Sequence, residues 1–200
     1  MTTKKPNELF LIYVFSILVA FIAYGFALTN FSLTVDSESP IYPHSSLELG
    51  RWGTNLVRYH LMGGLYPYFT LLFGLIFLAL TSVEITKILK INGIYAYIFS
   101  LLFLSFPQHA YQLVFTMQAD AIPLGYFLGT LAVHLFIKNK ESKLQKIIYN
   151  ILTILLLVCT IAIYQALIFI PFVLYMLHFF VQINNIETNI KKEFKKSLGF

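Results

Sequence analysis

IIYNILTILLLVCTIAIYQALIFIPFVLYMLHFFV, residues 147–181, contains no Asp, Glu, Lys or Arg over its whole length. As one straight helix it would be about 50 Å long, against about 30 Å of bilayer hydrocarbon. It is too long for one span and suits two. The polar pair Tyr164-Gln165 lies near its middle, and a break there divides it into spans over 147–163 and 167–181. The lysines that follow support the division. Lys191, Lys192, Lys195 and Lys196 follow the run after nine intervening residues, and the positive-inside rule places such clusters on the cytoplasmic side. A five-span chain would strand them outside. Six spans put both ends of the chain inside.

The same accounting extends toward the N-terminus. The chain is 58% hydrophobic and 12% charged, with a mean hydropathy of +0.75, far beyond what a soluble domain of 200 residues needs. Four further apolar stretches, 9–28, 65–85, 91–106 and 121–137, meet or approach spanning length. Between them stand the other lysine clusters: Lys4/Lys5, Lys87/Lys90 and Lys138/Lys140/Lys143/Lys146. Two crossings fit between each consecutive pair of clusters. All lysines then face one side, while Arg51 and Arg58 face the other. The first stretch reads as a retained signal anchor, since its apolar core is long and no small-x-small cleavage site follows. The expected fold is all-α: a polytopic membrane protein of about six transmembrane helices plus an extracytoplasmic juxtamembrane amphipathic helix. Residues 1–200 form a single membrane domain, 29–64 its first extracytoplasmic loop and 184–200 a cytoplasmic basic tail.

The pI of about 9.2 reflects lysines set toward anionic lipid and does not call for nucleic acid. Cys159, the single cysteine, lies within the fifth span and forms no intrachain disulfide. No Cys/His spacing suits a metal, and no glycine loop cradles phosphate. Hence neither a metal nor another cofactor is expected.

The first loop reads TNFSLTVDSESPIYPHSSLELGRWGTNLVRYHLMGG over 29–64. Pro40 and Pro43 among serines exclude regular helix in its first part. From Ser46 a helix is expected, on which Glu48, Arg51, Asn55 and Arg58 share one stripe, with Leu49, Trp52, Leu56 and Tyr59 beside it. That pattern suits a helix lying at the membrane surface, and Gly63-Gly64 lets the chain turn into the second span. The polar stripe has two readings. Glu48 and Arg51 at i, i+3 form a surface ion pair worth a few tenths of a kcal/mol. Alternatively, the arginines bind phosphate bidentately and a nearby carboxylate accepts a proton from a hydroxyl.

The second external joint, 108–120, also divides. Asp120 caps the fourth span, with Pro123 tolerated in its first turn. Alternatively, Gln118 and Asp120 bind sugar hydroxyls while Tyr111 or Phe115 stacks on a ring. Gln165, between two apolar spans, needs a hydrogen bond or water. Gly125-x-x-x-Gly129 reads as a packing face and Glu84 with Lys87 as a cytoplasmic ion pair. His134 and His178 read as interfacial groups, while His44 and His60 are external.

Three pieces in this order carry a resemblance. They are Glu48-Leu49-Gly50-Arg51-Trp52-Gly53, then Phe106-Pro107-Gln108 through Phe115-Thr116-Met117-Gln118-Ala119-Asp120-Ala121, and Ile163-Tyr164-Gln165-Ala166. Over nearly the whole chain this resembles the membrane glucosyltransferases that modify bacterial O-antigen in serotype conversion, the Gtr type II family. The resemblance implies a C-type glycosyltransferase of the bacterial inner membrane, with an extracytoplasmic active site. It would move a glucosyl or similar residue from a polyprenyl-phosphate donor to a glycan acceptor, with inversion. Asp36 or Glu38 would be the base, and Arg51 and Arg58 would hold the donor phosphate. Glu48, Trp52, Gln118, Asp120, Tyr164 and Gln165 would bind substrate. Members of the family are longer, so the chain is expected to be the N-terminal part of such an enzyme, or to need a partner chain supplying the remainder. A lipid-linked sugar transporter or flippase and a non-catalytic membrane subunit are the rival readings. Spans nearly free of charge weigh against transport.

Overall fold

A computed structural model describes residues 6–30, 45–115, 118–138 and 141–197, and among these it is helical, without strands. Helix α1 covers Pro6–Thr29. The loop unit consists of α2 (Ser45–Glu48), α3 (Trp52–Asn55) and a π-helical segment (Leu56–Leu61). There follow α4 (Pro67–Ile88), α5 (Ile94–Leu104), α6 (Pro107–Val114), α7 (Ala121–Ile137) and α8 (Lys143–Ile163). A 3-10 turn (Gln165–Ile168) then leads into α9 (Phe169–Ser197). Four helical stretches are long and apolar enough to cross a membrane: Asn7–Thr29, Tyr68–Ile88, Lys143–Ile163 and Gln165–Asn184. The apolar helices α5 and α7 are shorter, at 11 and 17 residues.

Local chemistry sets the boundaries. Pro67 and Pro107 open α4 and α6, where a missing N–H costs nothing. Ser142 caps α8 by accepting from the Gln145 N–H at 3.2 Å, and the Gln145 side chain accepts in turn from Glu141 N–H at 3.1 Å, a variant of the capping box. Tyr164 is extended at φ −158° and ψ 123°, so the long apolar run divides where the sequence reading placed its break. The expected third span, 91–106, is corrected. Its helix begins only after Gly93, at φ +59°, and ends before Phe106, which Pro107 holds extended at ψ 128°. The lysine-rich tail continues α9 as far as Ser197.

The contacts give each helix a direction. Ile12 clusters with Ala96, and Tyr24 donates its hydroxyl to the Leu104 carbonyl at 2.7 Å, so α1 and α5 run parallel. Gly74 meets Ala119 and Pro123 near the start of α4, while Ile85 and Ile88 meet Val133 near its end, so α4 and α7 run parallel. Gly125 faces Leu167 and Gly129 faces Pro171, which aligns α9 with α7. Thr160 and Ile163 against the same two glycines set α8 antiparallel to them. The glycine pair is thus the packing face expected from its spacing. A central α4 packs on α1, α5 and α7, and the exposed faces of α8 and α9 are rich in large apolar side chains.

The bundle's two ends differ chemically. At one, Glu84 binds Lys87 at 2.7 Å and also contacts His134. There His178 donates from Nδ1 to the Ile88 carbonyl at 3.0 Å. The expected Glu84–Lys87 pair is therefore part of a larger group joining α4 to α7, with α9 tied alongside. The start of α1 and the far end of α9 lie toward this end. The opposite end carries the arginines.

A Cβ on Gly74 would stand 2.0 Å from the Ala119 carbonyl oxygen, whereas one on Gly25 would meet nothing within 4 Å. Gly74→Ala is expected to destabilise the fold by about 1–3 kcal/mol through backbone displacement. Gly25→Ala is expected to be neutral or slightly stabilising, by up to about 1 kcal/mol, because a mid-helix glycine is itself unfavourable. Thermal unfolding of the two variants in detergent checks the contrast, and equal melting temperatures would refute it.

Candidate active site at the arginine end

The loop unit is not the continuous helix that its spacing suggested. Gly50 takes φ +71° and Arg51 takes φ −95°, ψ 52°, so α2 ends and α3 starts on a new axis. The left-handed turn that only glycine adopts readily separates the two halves of the polar stripe. Arg51 and Arg58 consequently face different partners. The outer stripe survives the break: Leu49, Trp52 and Leu56 all remain exposed, as suits a unit resting at a membrane surface.

Two contacts seat this unit on the end of α8. Thr54 donates from Oγ1 to the Ile163 carbonyl at 2.9 Å, taking up a carbonyl that the helix end leaves open. A Cβ on Gly53 would lie 2.8 Å from backbone atoms of Ala162 and Ile163, so only glycine allows this approach. Gln165 then donates from Nε2 to the Leu49 carbonyl at 3.2 Å. This hydrogen bond supplies the partner that an amide between two apolar spans requires.

Arg58 is 3% exposed and Asp120 is fully buried. They form a bidentate pair, Nε to Oδ2 at 3.1 Å and Nη2 to Oδ1 at 2.8 Å. Asp120 also accepts from the Ala121 N–H at 2.7 Å, so the expected helix-start role holds and is joined to an ion pair that ties the π-helical segment to α7. Arg51 is half-buried. Its guanidinium carbon stands 4.5 Å from the centre of the Tyr164 ring, a cation–π contact, and its buried Nε has no hydrogen-bond partner among the described residues.

The other candidates are placed as follows. Glu48 is exposed at the end of α2, and Trp52 is exposed at the start of α3. Gln118 is half-buried two residues before Asp120. Asp36 and Glu38 lie outside the described residues. The structure therefore gathers Arg51, Tyr164 and Gln165 around one turn and sets the Arg58–Asp120 pair beneath the same loop unit. Among the described residues, no group of three or more His, Cys, Asp or Glu is placed to hold a metal ion.

His109 was not singled out from the sequence. It lies on α6 with Leu113 on the buried face, an i, i+4 pairing that was legible. Phe103, Phe106 and Tyr126 surround its ring at 4.8, 6.2 and 5.4 Å. Burial among them pushes its pKa down to about 4, because the charged imidazolium is poorly solvated there. The sign follows from linkage. Below the unfolded value of about 6.5 the unfolded chain takes up a proton that the folded one refuses, so stability falls as pH drops from about 6.5 to 4. The loss approaches about 3 kcal/mol. His109→Phe is expected to flatten this part of the pH–stability curve. Unfolding temperatures measured between pH 4 and 7.5 decide it, and an unchanged slope would exclude His109 as the cause.

Comparison with curated proteins and with solved structures gives no match. A family model described as Glucosyl transferase GtrII matches residues 25–200. That match takes in the loop unit, the Arg58–Asp120 pair and both sides of the Tyr164 break, so the chain belongs to the GtrII glucosyltransferase family.

Proposed function

We propose that this membrane glycosyltransferase moves a glucosyl residue from a polyprenyl-phosphate carrier to an extracytoplasmic glycan such as O-antigen. Asp36 or Glu38 takes the proton from the acceptor hydroxyl. The freed oxygen attacks the anomeric carbon from the face opposite the phosphate. The carbon–oxygen bond to phosphate breaks, its electron pair leaves with the carrier, and the configuration inverts. Negative charge grows on the departing phosphate, and Arg51 meets it. The observation that carries this reading is the Arg51–Tyr164 stack. It holds a guanidinium at the bundle's end with a buried N–H that has no acceptor among the described residues, in a chain of a glucosyltransferase family. Arg58 and Asp120 are committed to each other, so their role in this scheme is to position the loop unit. Glu48, Trp52, Gln118 and the Tyr164–Gln165 turn border the sugar.

Alternating helix directions favour six crossings, with the lysine-bearing end in the cytoplasm of a bacterial inner membrane. Both termini then lie inside and the arginine end faces out. A further chain or segment completing the acceptor site is compatible with this arrangement.

The test is transfer of glucose from polyprenyl-phosphate glucose to lipid-linked glycan in membranes containing the full chain. Arg51→Ala is expected to lower kcat roughly a hundredfold, as loss of one charge-stabilising donor does, with partial recovery in Arg51→Lys. Absence of transfer by the folded wild type would refute self-sufficient catalysis. Unchanged kcat in Arg51→Ala would refute the role given to that residue.

A further inference from the structure

Arg51 follows a turn whose own hydrogen bonds set its shape but not its location. Gly50 N–H donates to the Leu47 carbonyl at 2.9 Å, and Arg51 N–H donates to the Ser46 carbonyl at 2.7 Å. With Gly50 at φ +71°, these bonds close α2 as a Schellman motif. They join residues of the loop unit to one another, as does the 3.5 Å contact from Asn55 Nδ2 to Ser46 Oγ. None of these three ties the backbone ahead of Arg51 to the bundle. The motif leaves the Leu49 carbonyl open, and Gln165 Nε2 donates to it at 3.2 Å. A Cβ on Gly50 would lie 3.4 Å from the same nitrogen, so the amide sits closely against the turn. On the other side of Arg51, Gly53 and Thr54 rest on the last turn of α8. Arg51 thus stands midway between two ties to the bundle, at Leu49 and at Gly53.

Adjacent residues therefore grip Arg51 at different points. The Tyr164 ring lies under the guanidinium, while the Gln165 amide holds the main chain just before it. A long side chain with many rotamers stabilises developing charge best when its position is settled before the reaction. We infer that Gln165 is a positioning residue for Arg51: through the Leu49 carbonyl it holds the loop backbone where the guanidinium seats on Tyr164. Its consequence for catalysis deepens the phosphate-binding reading of Arg51 above and rests on it. Gln165 is exposed, so a direct contact with substrate is the competing role. The two roles differ in one respect. A direct contact contributes whether or not Arg51 is present, whereas a positioning residue contributes only through Arg51.

The experiment applies two readouts to Gln165→Met, which keeps the length of the side chain and removes its donor. Gln165→Asn, an amide one methylene too short, should behave in the same way. Phenylglyoxal modifies accessible guanidinium groups, and Arg51 and Arg58 are the only arginines of the chain. Arg58 is buried and serves as the internal reference. Mass spectrometry of the full chain in detergent is expected to show Arg51 modified several-fold faster in Gln165→Met than in the wild type, with Arg58 unchanged. In the transfer assay Gln165→Met should lower kcat about tenfold through misplacement of the guanidinium, with KM for the acceptor glycan unchanged. Made in the Arg51→Ala background, the same substitution should cost no more than about twofold, because nothing is left for Gln165 to place. Equal modification of Arg51 in variant and wild type would overturn the inference. So would a tenfold loss that persists without Arg51, the mark of a direct substrate contact. Modification needs no sugar transfer, so the two readings fail separately. Faster modification of Arg51 in a chain whose wild type transfers nothing would leave its placement by Gln165 standing and refute the catalytic reading.

Discussion

Arg58→Ala and Asp120→Ala are each expected to lower the unfolding free energy by about 3–5 kcal/mol, because each leaves a buried charge without its counter-ion. The pair has side-chain exposures of 4% and 0%, so water cannot compensate for a missing partner. Total stabilities of proteins are only about 5–15 kcal/mol, and either single variant should therefore show sharply reduced recovery from membranes. The double variant Arg58→Ala/Asp120→Ala is expected to lose clearly less than the sum of the two single changes, since removing both charges together ends the desolvation penalty that each single change exposes. Thermal unfolding of all four proteins in one detergent measures the coupling. Additive losses in the double variant would show that the contact carries no pairwise energy. Asp120→Asn refines the result, as its amide oxygen still accepts from Ala121 N–H while the charge is gone.

Removal of the proposed catalytic base should give the largest change in activity. One of Asp36→Ala and Glu38→Ala is expected to reduce transfer roughly a hundredfold to ten-thousandfold, the range that a positioned general base contributes. The other should retain near wild-type rates. Melting temperature serves as the control for folding, since a loss in kcat at unchanged stability is what a proton acceptor predicts. If both variants transfer sugar normally, the base lies elsewhere in the site and the first loop has a binding role alone. The Arg51 series complements this test. In the proposed scheme Arg51 meets the leaving phosphate, so its loss should be partly restored by lysine, whereas an alanine in place of the base has no such rescue.

Much of the architecture was legible because membranes impose strong rules on composition. Hydrocarbon thickness sets span length, and backbone groups must be satisfied within the helix. Those constraints made the apolar run at 147–181 readable as two helices, and Tyr164 is extended at the break. The Gly125/Gly129 face was readable for a similar reason, since small residues at one-turn spacing leave room for a neighbour's backbone. The third span was over-read because an apolar stretch does not reveal where Pro107 redirects the chain. The loop helix was over-read for a related reason: periodicity extends through Gly50 without a visible signal that this glycine adopts φ +71°.

By itself, then, the sequence determined the membrane class, the division of charge between two ends and the residue types available at each, because these depend on solvent transfer and count alone. Only the tertiary structure decided which arginine enters a buried ion pair and which stacks on an aromatic ring. Arg58 and Asp120 are separated by 62 positions, and nothing local in either segment announces that they meet. Their pairing follows from α7 lying parallel to α4 and from the π-helical segment folding back over its start. The same packing sets the Tyr164 ring beneath Arg51. Long-range contacts of this kind arise from the shapes of packed surfaces, which a one-dimensional pattern of polarity does not contain.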